Sequence, residues 1–126
     1  MPTPSPNRPR FSPARRVPLA PSGELLYLSG IICADEDARD NIESQTRRVF
    51  ERISGVLAKH GASLPDVVMT TSFLVDLADY DGFNRVRVET FMDCKEPPAS
   101  TAVGAGSLLG VGTRVEIEAV AFVASR

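Results

Sequence analysis

Apolar and polar residues alternate strictly near the end of the chain. Val115, Ile117 and Ala119 fall on one parity, and Glu116 and Glu118 fall on the other. Because alternate side chains of a strand share a face, this segment predicts a strand with one apolar face and two carboxylates about 7 Å apart on the opposite face. The acidic face either meets water on the open side of an antiparallel sheet or belongs to a functional site, since a carboxylate beside apolar groups requires a polar partner.

Two other segments have the helical period. Apolar residues recur every three or four positions in residues 41–60, and Gly61 is typical of a helix end. A shorter segment, residues 80–92, places Phe83 and Val86 on one side. Each predicted helix therefore presents one apolar face to a core.

The strands are predicted from β-branched residues and from turn signals between them. They cover residues 15–19, 24–29, 67–75, 101–106 and 114–124. The third strand is apolar on both parities, which is expected of a central strand with both faces covered. The order ββαβαββ predicts an α+β domain in which two helices pack on one face of a mixed sheet.

The second face of this sheet requires a cover, because no third helix is predicted. Another copy of the chain is the simplest cover, and a closed ring of identical subunits creates clefts between its members. The pattern therefore predicts a homo-oligomer with sites at the subunit interfaces.

Composition favours one small domain without a nucleic-acid partner. The chain has 126 residues, a formal charge of −2, 6% aromatic residues and no tryptophan, which is unlike a basic nucleic-acid-binding protein. Cys33 and Cys94 do not form a CxxC pair and His60 is the single histidine, so no metal site is expected. Nothing resembles an apolar signal segment, and we expect reduced, passive thiols in a cytoplasmic protein that has no contact with a membrane.

The N-terminal segment differs from the rest of the chain. It is rich in proline and arginine and contains no acid before Glu24, so it cannot bury enough apolar surface to order itself. We expect a flexible tail at residues 1–14, solvated or packed along a neighbouring subunit, and one domain at residues 15–126. Contact of the tail arginines with phosphates or acidic partners is the alternative.

Several segments, in this order, resemble the reactive-intermediate deaminase family, also called Rid or YjgF. The matching segments are LLYLSG at residues 25–30, NIESQTR at 41–47, DVVMTTSFL at 66–74, PAST at 98–101 and VEIEA at 115–119. Residues 80–84 and Phe91 match as well, and the resemblance extends from about Gly23 to the C terminus. On these segments the chain is identified as a member of the family.

The resemblance implies a chorismate-mutase-like fold and a homotrimer with three small-molecule clefts between subunits. Active members hydrolyse enamines and imines such as 2-aminoacrylate to a 2-keto acid and ammonia, without a metal or a cofactor. The glutamate that positions or activates water in the family corresponds to Glu116. Two residues that line the cleft correspond to Ser29 and Asn84.

The chain departs from the family pattern in the substrate-binding half. The family arginine, which holds a substrate carboxylate, falls on Ser100, and a shifted alignment places it at Ala99 or Thr101. None of these can form a charged bidentate pair, and a hydroxyl offers one neutral hydrogen bond of roughly 1 kcal/mol. The glutamine common after the Ser-Gly pair is Ile31, and the nearest aromatic to the N-terminal family tyrosine is Phe11. The implied cleft is therefore less charged and more apolar.

Arg114 is the candidate replacement for the missing arginine, because residues 114 and 116 share strand parity. A basic residue before this strand is ordinary in the family and is commonly exposed, which favours a surface role.

The resemblance makes Glu116 the catalytic candidate. The substrate-binding candidates are Ser29, Asn84, Ser100, Ile31, Thr101 and Arg114.

Three functional classes follow. The first is a cofactor-independent, deaminase-like hydrolase that acts on an imine, enamine or related carbonyl compound with Glu116 as general base. Its substrate would lack the carboxylate, so it would not be a standard 2-aminoacrylate deaminase. The second is a non-catalytic trimeric module that binds a metabolite or a partner. The third, an endoribonuclease activity associated with some relatives, is disfavoured by the negative charge.

Overall fold

The computed structural model describes residues 11–33 and 41–125. Within them the chain forms five strands and two α-helices, with short 3-10 turns before β3 and α2. The elements are β1 (Ala14–Leu19), β2 (Gly23–Ile32), α1 (Ile42–Lys59), β3 (Val67–Leu74), α2 (Tyr80–Thr90), β4 (Ala99–Gly104) and β5 (Val115–Ala124). The predicted α+β class and the order ββαβαββ are confirmed.

Helix α1 begins and ends where its sequence signals lie. The side chain of Asn41 accepts hydrogen bonds from the backbone N–H groups of Glu43 and Ser44, at 2.8 and 3.2 Å, which satisfies two donors of the first turn. At the other end Gly61 adopts a φ of +75°, a conformation that favours glycine. Between these ends, the buried face of α1 consists of Gln45, Thr46, Val49, Phe50, Ile53 and Leu57.

The five strands form one mixed sheet in the order β1-β2-β5-β3-β4. The β3–β4 pair is parallel and the other pairs are antiparallel. Strand β5 lies at the centre, and its alternate residues Val115, Ile117 and Ala119 are buried toward the helices. The core therefore lies on the helix side of the sheet, and the two glutamates of β5 point to the opposite side, as the alternation predicts.

The two helices pack closely where α2 has a glycine. A Cβ built at Gly82 would fall 2.8 Å from Cγ2 of Ile42 at the start of α1, so this approach requires glycine. Phe50 of α1 meets Phe91, the residue that caps α2, edge to face with ring centroids 5.5 Å apart. The close contact at Gly82 and the Phe50–Phe91 pair together hold α2 against α1 over the core.

Element boundaries differ most from the predicted ones at two strands. Strand β2 continues three residues beyond the predicted end, because a bulge between Leu28 and Ile31 allows it to keep pairing with β5. Strand β4 spans Ala99–Gly104 rather than residues 101–106, since its limits follow the pairing with β3. The predicted tail lies mostly outside the described residues, and Ala14 already belongs to β1. No helix in the described part of the chain is long and apolar enough to cross a membrane.

Candidate functional site

The carboxylate of Glu116 packs directly against the backbone of Gly30. A Cβ built at Gly30 would lie 3.0 Å from Cδ and 3.1 Å from Cγ of Glu116, and closer still to its Oε2 atom. In the sheet Glu116 pairs with Ile32 of β2 and with Phe73 of β3. The half-buried carboxylate therefore occupies a space between apolar side chains that exists because residue 30 has no side chain.

Glu118, one pleat further along β5, has a different environment. It is exposed and lies beside Thr71 of β3 in the sheet. Its side chain lines a shallow depression of about 180 Å³ together with Tyr27 and Met69. The two carboxylates thus share the open face but not the same surroundings: Glu116 is enclosed and Glu118 is open to solvent.

Ser29 is engaged by the segment that leads into β1. Its hydroxyl donates to the backbone carbonyl of Ser12 at 2.7 Å, and its backbone N–H donates to the carbonyl of Pro13 at 3.0 Å. Ser29 therefore anchors residues 12–13 in the isolated subunit. It lies next to Gly30, so it is one residue away from the site of the Glu116 carboxylate.

Ile31 takes a core position that the resemblance does not predict. After the bulge in β2 it pairs with Ile117, which is fully buried, and it packs against the hydrophobic core. Paired residues of neighbouring strands share a face. Ile31 consequently points to the helix side of the sheet, whereas Glu116 points to the open side, and this differs from the cleft position that we expected.

The two hydroxyl residues of β4 lie on opposite faces of the sheet. Ser100 pairs with Thr70, which is buried under the helices, and Thr101 pairs with Thr71. Thr71 in turn pairs with Glu118, so Thr101 shares the acidic face. Of the two hydroxyl residues among the positions considered for the family arginine, Thr101 is the one on the face of the carboxylates.

Arg114 is already held by an acidic partner. Its Nη1 atom donates to both carboxylate oxygens of Asp79, at 3.1 and 3.3 Å, and the Asp79 side chain is largely buried. The backbone of Arg114 is also fixed, since its carbonyl accepts from the N–H of Val75 at 3.1 Å. Recruiting this arginine for a substrate carboxylate would require breaking the pair with Asp79.

Asn84 binds a neighbour on its own helix that the sequence reasoning missed. Its Oδ1 atom accepts from Nε and Nη2 of Arg87, at 2.9 and 2.7 Å. The i,i+3 spacing in a helix was the available signal for this contact. Helix α2 packs on one face of the sheet, and the Glu116 side chain lies on the other. Within one subunit the sheet therefore separates Asn84 from Glu116. An Asn84 side chain near Glu116 would have to come from a neighbouring subunit.

The remaining chemically active side chains are dispersed. Cys33 is buried, Cys94 is half-buried and both are free thiols. His60 caps the C terminus of α1. Among residues 11–33 and 41–125, no group of three or more His, Cys, Asp or Glu side chains is arranged to hold a metal ion.

Comparison with known proteins decides the family. The chain matches the family model described as Endoribonuclease L-PSP over residues 7–123. A solved structure named as a member of the YjgF/YER057c/UK114 family, Rv2704 from Mycobacterium tuberculosis, aligns with a TM-score of 0.75 and 31% identity, over 90% of this chain and 86% of that one. The chain belongs to the YjgF/Rid family.

Other YjgF/Rid relatives extend the comparison. RidA from the Antarctic bacterium Psychrobacter aligns with a TM-score of 0.77 and 31% identity, over 91% of this chain and 89% of that one. A RutC family protein from Pyrococcus abyssi is 38% identical over 104 residues, which is 79% of this chain and 80% of the relative. AldR of Lactococcus lactis, named as a candidate regulator, is 38% identical over 105 residues, 80% of this chain and 81% of the relative. Membership in this family suggests a small-molecule, deaminase-like or regulatory role.

Proposed function

We propose that this protein is a small-molecule hydrolase that acts on an imine, an enamine or a related carbonyl compound, with Glu116 activating water in a cleft between subunits. The observation that carries the proposal is the enclosed position of Glu116, whose carboxylate lies against Gly30 between apolar neighbours. Such a position fixes the carboxylate on the sheet face where a water molecule and a substrate would meet it. Membership in the family supports the same assignment.

The proposed chemistry needs one base and one water molecule. Glu116 takes a proton from water as the water oxygen attacks the imine carbon, and the imine nitrogen gains a proton. The resulting carbinolamine loses ammonia, or an amine, when its C–N bond breaks and the carbonyl forms. An enamine reaches the same path after a proton has moved to its carbon. The balance is imine plus water to carbonyl plus ammonia, which requires no metal and no redox cofactor.

The proposed cleft forms in a homotrimer. The open face of the sheet carries exposed apolar side chains, with Tyr27 47% and Val17 and Val103 each 40% exposed. A soluble protein rarely leaves such a face uncovered, and another copy of the chain would cover it. The same assembly would supply groups such as Asn84, which lies across the sheet from Glu116 in its own subunit.

The proposed substrate has no carboxylate at the position that the family arginine serves. Of the residues considered for that position, Ala99 and Thr101 lie on the acidic face, and of these two Thr101 has a hydroxyl that can form one neutral hydrogen bond. Arg114 is paired with Asp79. A carboxylate-bearing substrate such as 2-aminoacrylate would also face Glu116 and Glu118 without a compensating cation, so its turnover should be weak.

Two glutamates on one strand face provide a matched test. The substrate is an imine without a carboxylate, formed in situ by a flavin amine oxidase from benzylamine, and benzaldehyde release is measured above the spontaneous rate. Glu116→Gln keeps the side-chain volume but cannot accept a proton, so turnover should fall by about 100-fold or more. Glu118→Gln, two residues away on the same face, should keep more than about half of the wild-type turnover.

Full activity in Glu116→Gln would overturn the assignment. Light scattering on each variant should give the wild-type mass, which separates loss of chemistry from loss of assembly. A second substrate arm uses 2-aminoacrylate released from serine by a pyridoxal-phosphate enzyme. Strong acceleration of its hydrolysis would contradict the proposed substrate class and would indicate that another arginine binds the carboxylate.

A non-catalytic binding module is the second candidate, and one observation favours it. The residue that would hold a substrate carboxylate is missing from the acidic face, while the relative AldR is named as a candidate regulator. In that case Glu116 would bind an amine or a hydrogen-bond donor rather than activate water. Tight binding of a small amine or metabolite by calorimetry, with no turnover and with loss of binding in Glu116→Gln, would support this role over the enzyme.

A nuclease role has little support from the described charges. Five of the described arginines pair with carboxylates and so contribute little to a phosphate-binding surface. These pairs are Arg16–Glu24, Arg47–Glu89, Arg48–Glu51, Arg85–Glu43 and Arg114–Asp79. In the first pair, the hydrogen bond to Glu24 and its charge raise the pKa of the Arg16 guanidinium. We propose a small molecule, not a nucleic acid, as the ligand.

A further inference from the structure

Gln45 is a fully buried polar side chain that joins helix α1 to the beginning of β5. Its Nε2 atom donates to the backbone carbonyl of Gly112 at 2.8 Å, and its Oε1 atom accepts from the backbone N–H of Arg114 at 2.8 Å. Its exposed fraction is 0%. The amide thus closes a bridge around Thr113, the last loop residue but one before the strand, from a buried position on α1.

The bridge requires a side chain that donates one hydrogen bond and accepts another. At this length glutamine does so at any pH, and glutamate does so only when its carboxyl group is protonated. The loop is shaped to fit it, because Gly110 and Gly112 have φ values of +87° and +78°. A Cβ at Gly110 would lie 2.7 Å from Oγ1 of Thr113. The end of the loop therefore has one closely defined path onto α1.

The bridge acts on the strand that carries Glu116. Residue 114 is held at its N–H by Gln45 and at its carbonyl by Val75, and Glu116 follows two residues later on the same strand parity. The Glu116 carboxylate lies in the space that a Cβ at Gly30 would need, so its place depends on how β5 lies against β2. A shift at the start of β5 would be passed to Glu116, since the strand backbone is continuous and paired on both sides.

We propose that Gln45 is a positioning residue that sets the start of β5 and, through it, the place of the Glu116 carboxylate. The inference rests on the proposed function in one respect, because it takes Glu116 as the working group of the cleft. Gln45 itself has no access to the open face. It acts from inside the core, through the backbone of residue 114.

Hydrogen exchange tests the bridge directly in the full-length protein. Gln45→Met keeps the length of the side chain and removes the hydrogen bonds to Gly112 and Arg114. The amide of Arg114 should then exchange with deuterium about ten-fold faster than in wild type. The control is Thr46→Val on the next residue. Thr46 is equally buried, but its hydroxyl donates to the carbonyl of Ile42 on its own helix, so the Arg114 amide of this variant should exchange at the wild-type rate.

Gln45→Glu adds a rescue that a general loss of stability cannot imitate. A protonated carboxyl group has one O–H donor and one carbonyl acceptor and can form both bonds, whereas a carboxylate cannot donate to Gly112. Protection of the Arg114 amide, relative to wild type at the same pH, should therefore return as the pH falls from about 8 to about 5. This variant also keeps the proposal testable if Gln45→Met fails to fold.

A second measurement separates positioning from simple support of the loop. The NMR chemical shift of the Glu116 carboxyl carbon is measured at one fixed pH, and turnover of the benzylamine-derived imine is measured in parallel. Gln45→Met should change this chemical shift and lower kcat about ten-fold while KM changes less. Thr46→Val should leave the chemical shift, kcat and KM at their wild-type values.

Two results would overturn the proposal. An unchanged Arg114 exchange rate in Gln45→Met would mean that the bridge is not formed in solution. Faster exchange with an unchanged Glu116 carboxyl chemical shift would mean that Gln45 supports the loop only. If Glu116→Gln leaves turnover intact, the proposed function fails by itself, and the exchange and chemical-shift results still decide the role of Gln45.

Discussion

The carboxylate of Glu116 lies in the space that any side chain at residue 30 would need. Its Cδ is 3.0 Å from the position of a Cβ on Gly30, well inside van der Waals contact. The two residues belong to adjacent strands, β2 and β5, and Gly30 lies within the bulge between Leu28 and Ile31. A glycine in one strand and a glutamate in the next thus define one half-buried acidic position on the open sheet face.

Replacing this glycine should displace the carboxylate without unfolding the protein. In Gly30→Ala the new methyl group meets the flexible end of Glu116, which can rotate away, so the free energy of unfolding should change by less than about 1 kcal/mol. Turnover should fall about 10- to 100-fold, because small misplacements of a reacting group are costly. Thermal unfolding and initial rates measure the two effects. Wild-type turnover in Gly30→Ala would show that the enclosed position is not needed.

Gly55 in α1 is a control for the substitution at Gly30. A Cβ built there meets nothing within 4 Å. Gly55→Ala should therefore stabilise the protein by about 0.5–1 kcal/mol, because glycine in a helix costs backbone entropy. Activity should stay at the wild-type level. A decrease in the melting temperature would contradict the placement of Gly55 in a regular, uncrowded turn of α1.

An arginine introduced in β4 on the face of Glu116 and Glu118 should extend the substrate range to carboxylate-bearing compounds. Thr101 lies in a row with Thr71 and Glu118, about 10 Å from Glu118 across two strands. Thr101→Arg should raise hydrolysis of 2-aminoacrylate by about ten-fold or more, because a guanidinium can hold its carboxylate by two bonds. Ser100→Arg, one residue away on the opposite face, should not. Equal gains in the two variants would refute the prediction that the substrate binds on the face of Thr101 and not on the face of Ser100.

The mass of the protein in solution tests the proposed trimer. Light scattering at micromolar concentration should give three times the chain mass of 13.6 kDa. Tyr27→Glu should lower this mass, because it puts a charge on the open sheet face that we expect to be buried between copies. Val88→Glu is the control, since Val88 is also 47% exposed but lies on α2. A wild-type protein with the mass of a monomer would rule out a cleft between subunits.

Much of the fold follows from local patterns that the sequence displays. The alternation of β5 predicts both its length and the shared face of Glu116 and Glu118, because successive side chains of a strand point to opposite sides whatever the rest of the chain does. The limits of α1 follow in the same way from Asn41 and Gly61, whose capping geometry depends on neighbouring residues only. These features needed no knowledge of distant contacts.

The candidate site depended on contacts between distant residues, which no local pattern contains. The bulge in β2 turned Ile31 to the core, and the register of β4 on β3 put Ser100 on one face and Thr101 on the other. A shift of one residue in register exchanges the faces of a whole strand, so an alignment alone cannot choose between these two hydroxyls. Asp79 likewise engages Arg114 from 35 residues away.

The sequence by itself therefore determined which elements form, in which order, and which residues of β5 share a face. Only the tertiary structure decided that Glu116 is enclosed while Glu118 is open, because the difference comes from Gly30 on the neighbouring strand. It also decided that Gln45, a polar residue on the buried side of α1, holds the start of β5. Periodicity reports the direction of a side chain along its own element, and it carries no information about the backbone that the side chain meets.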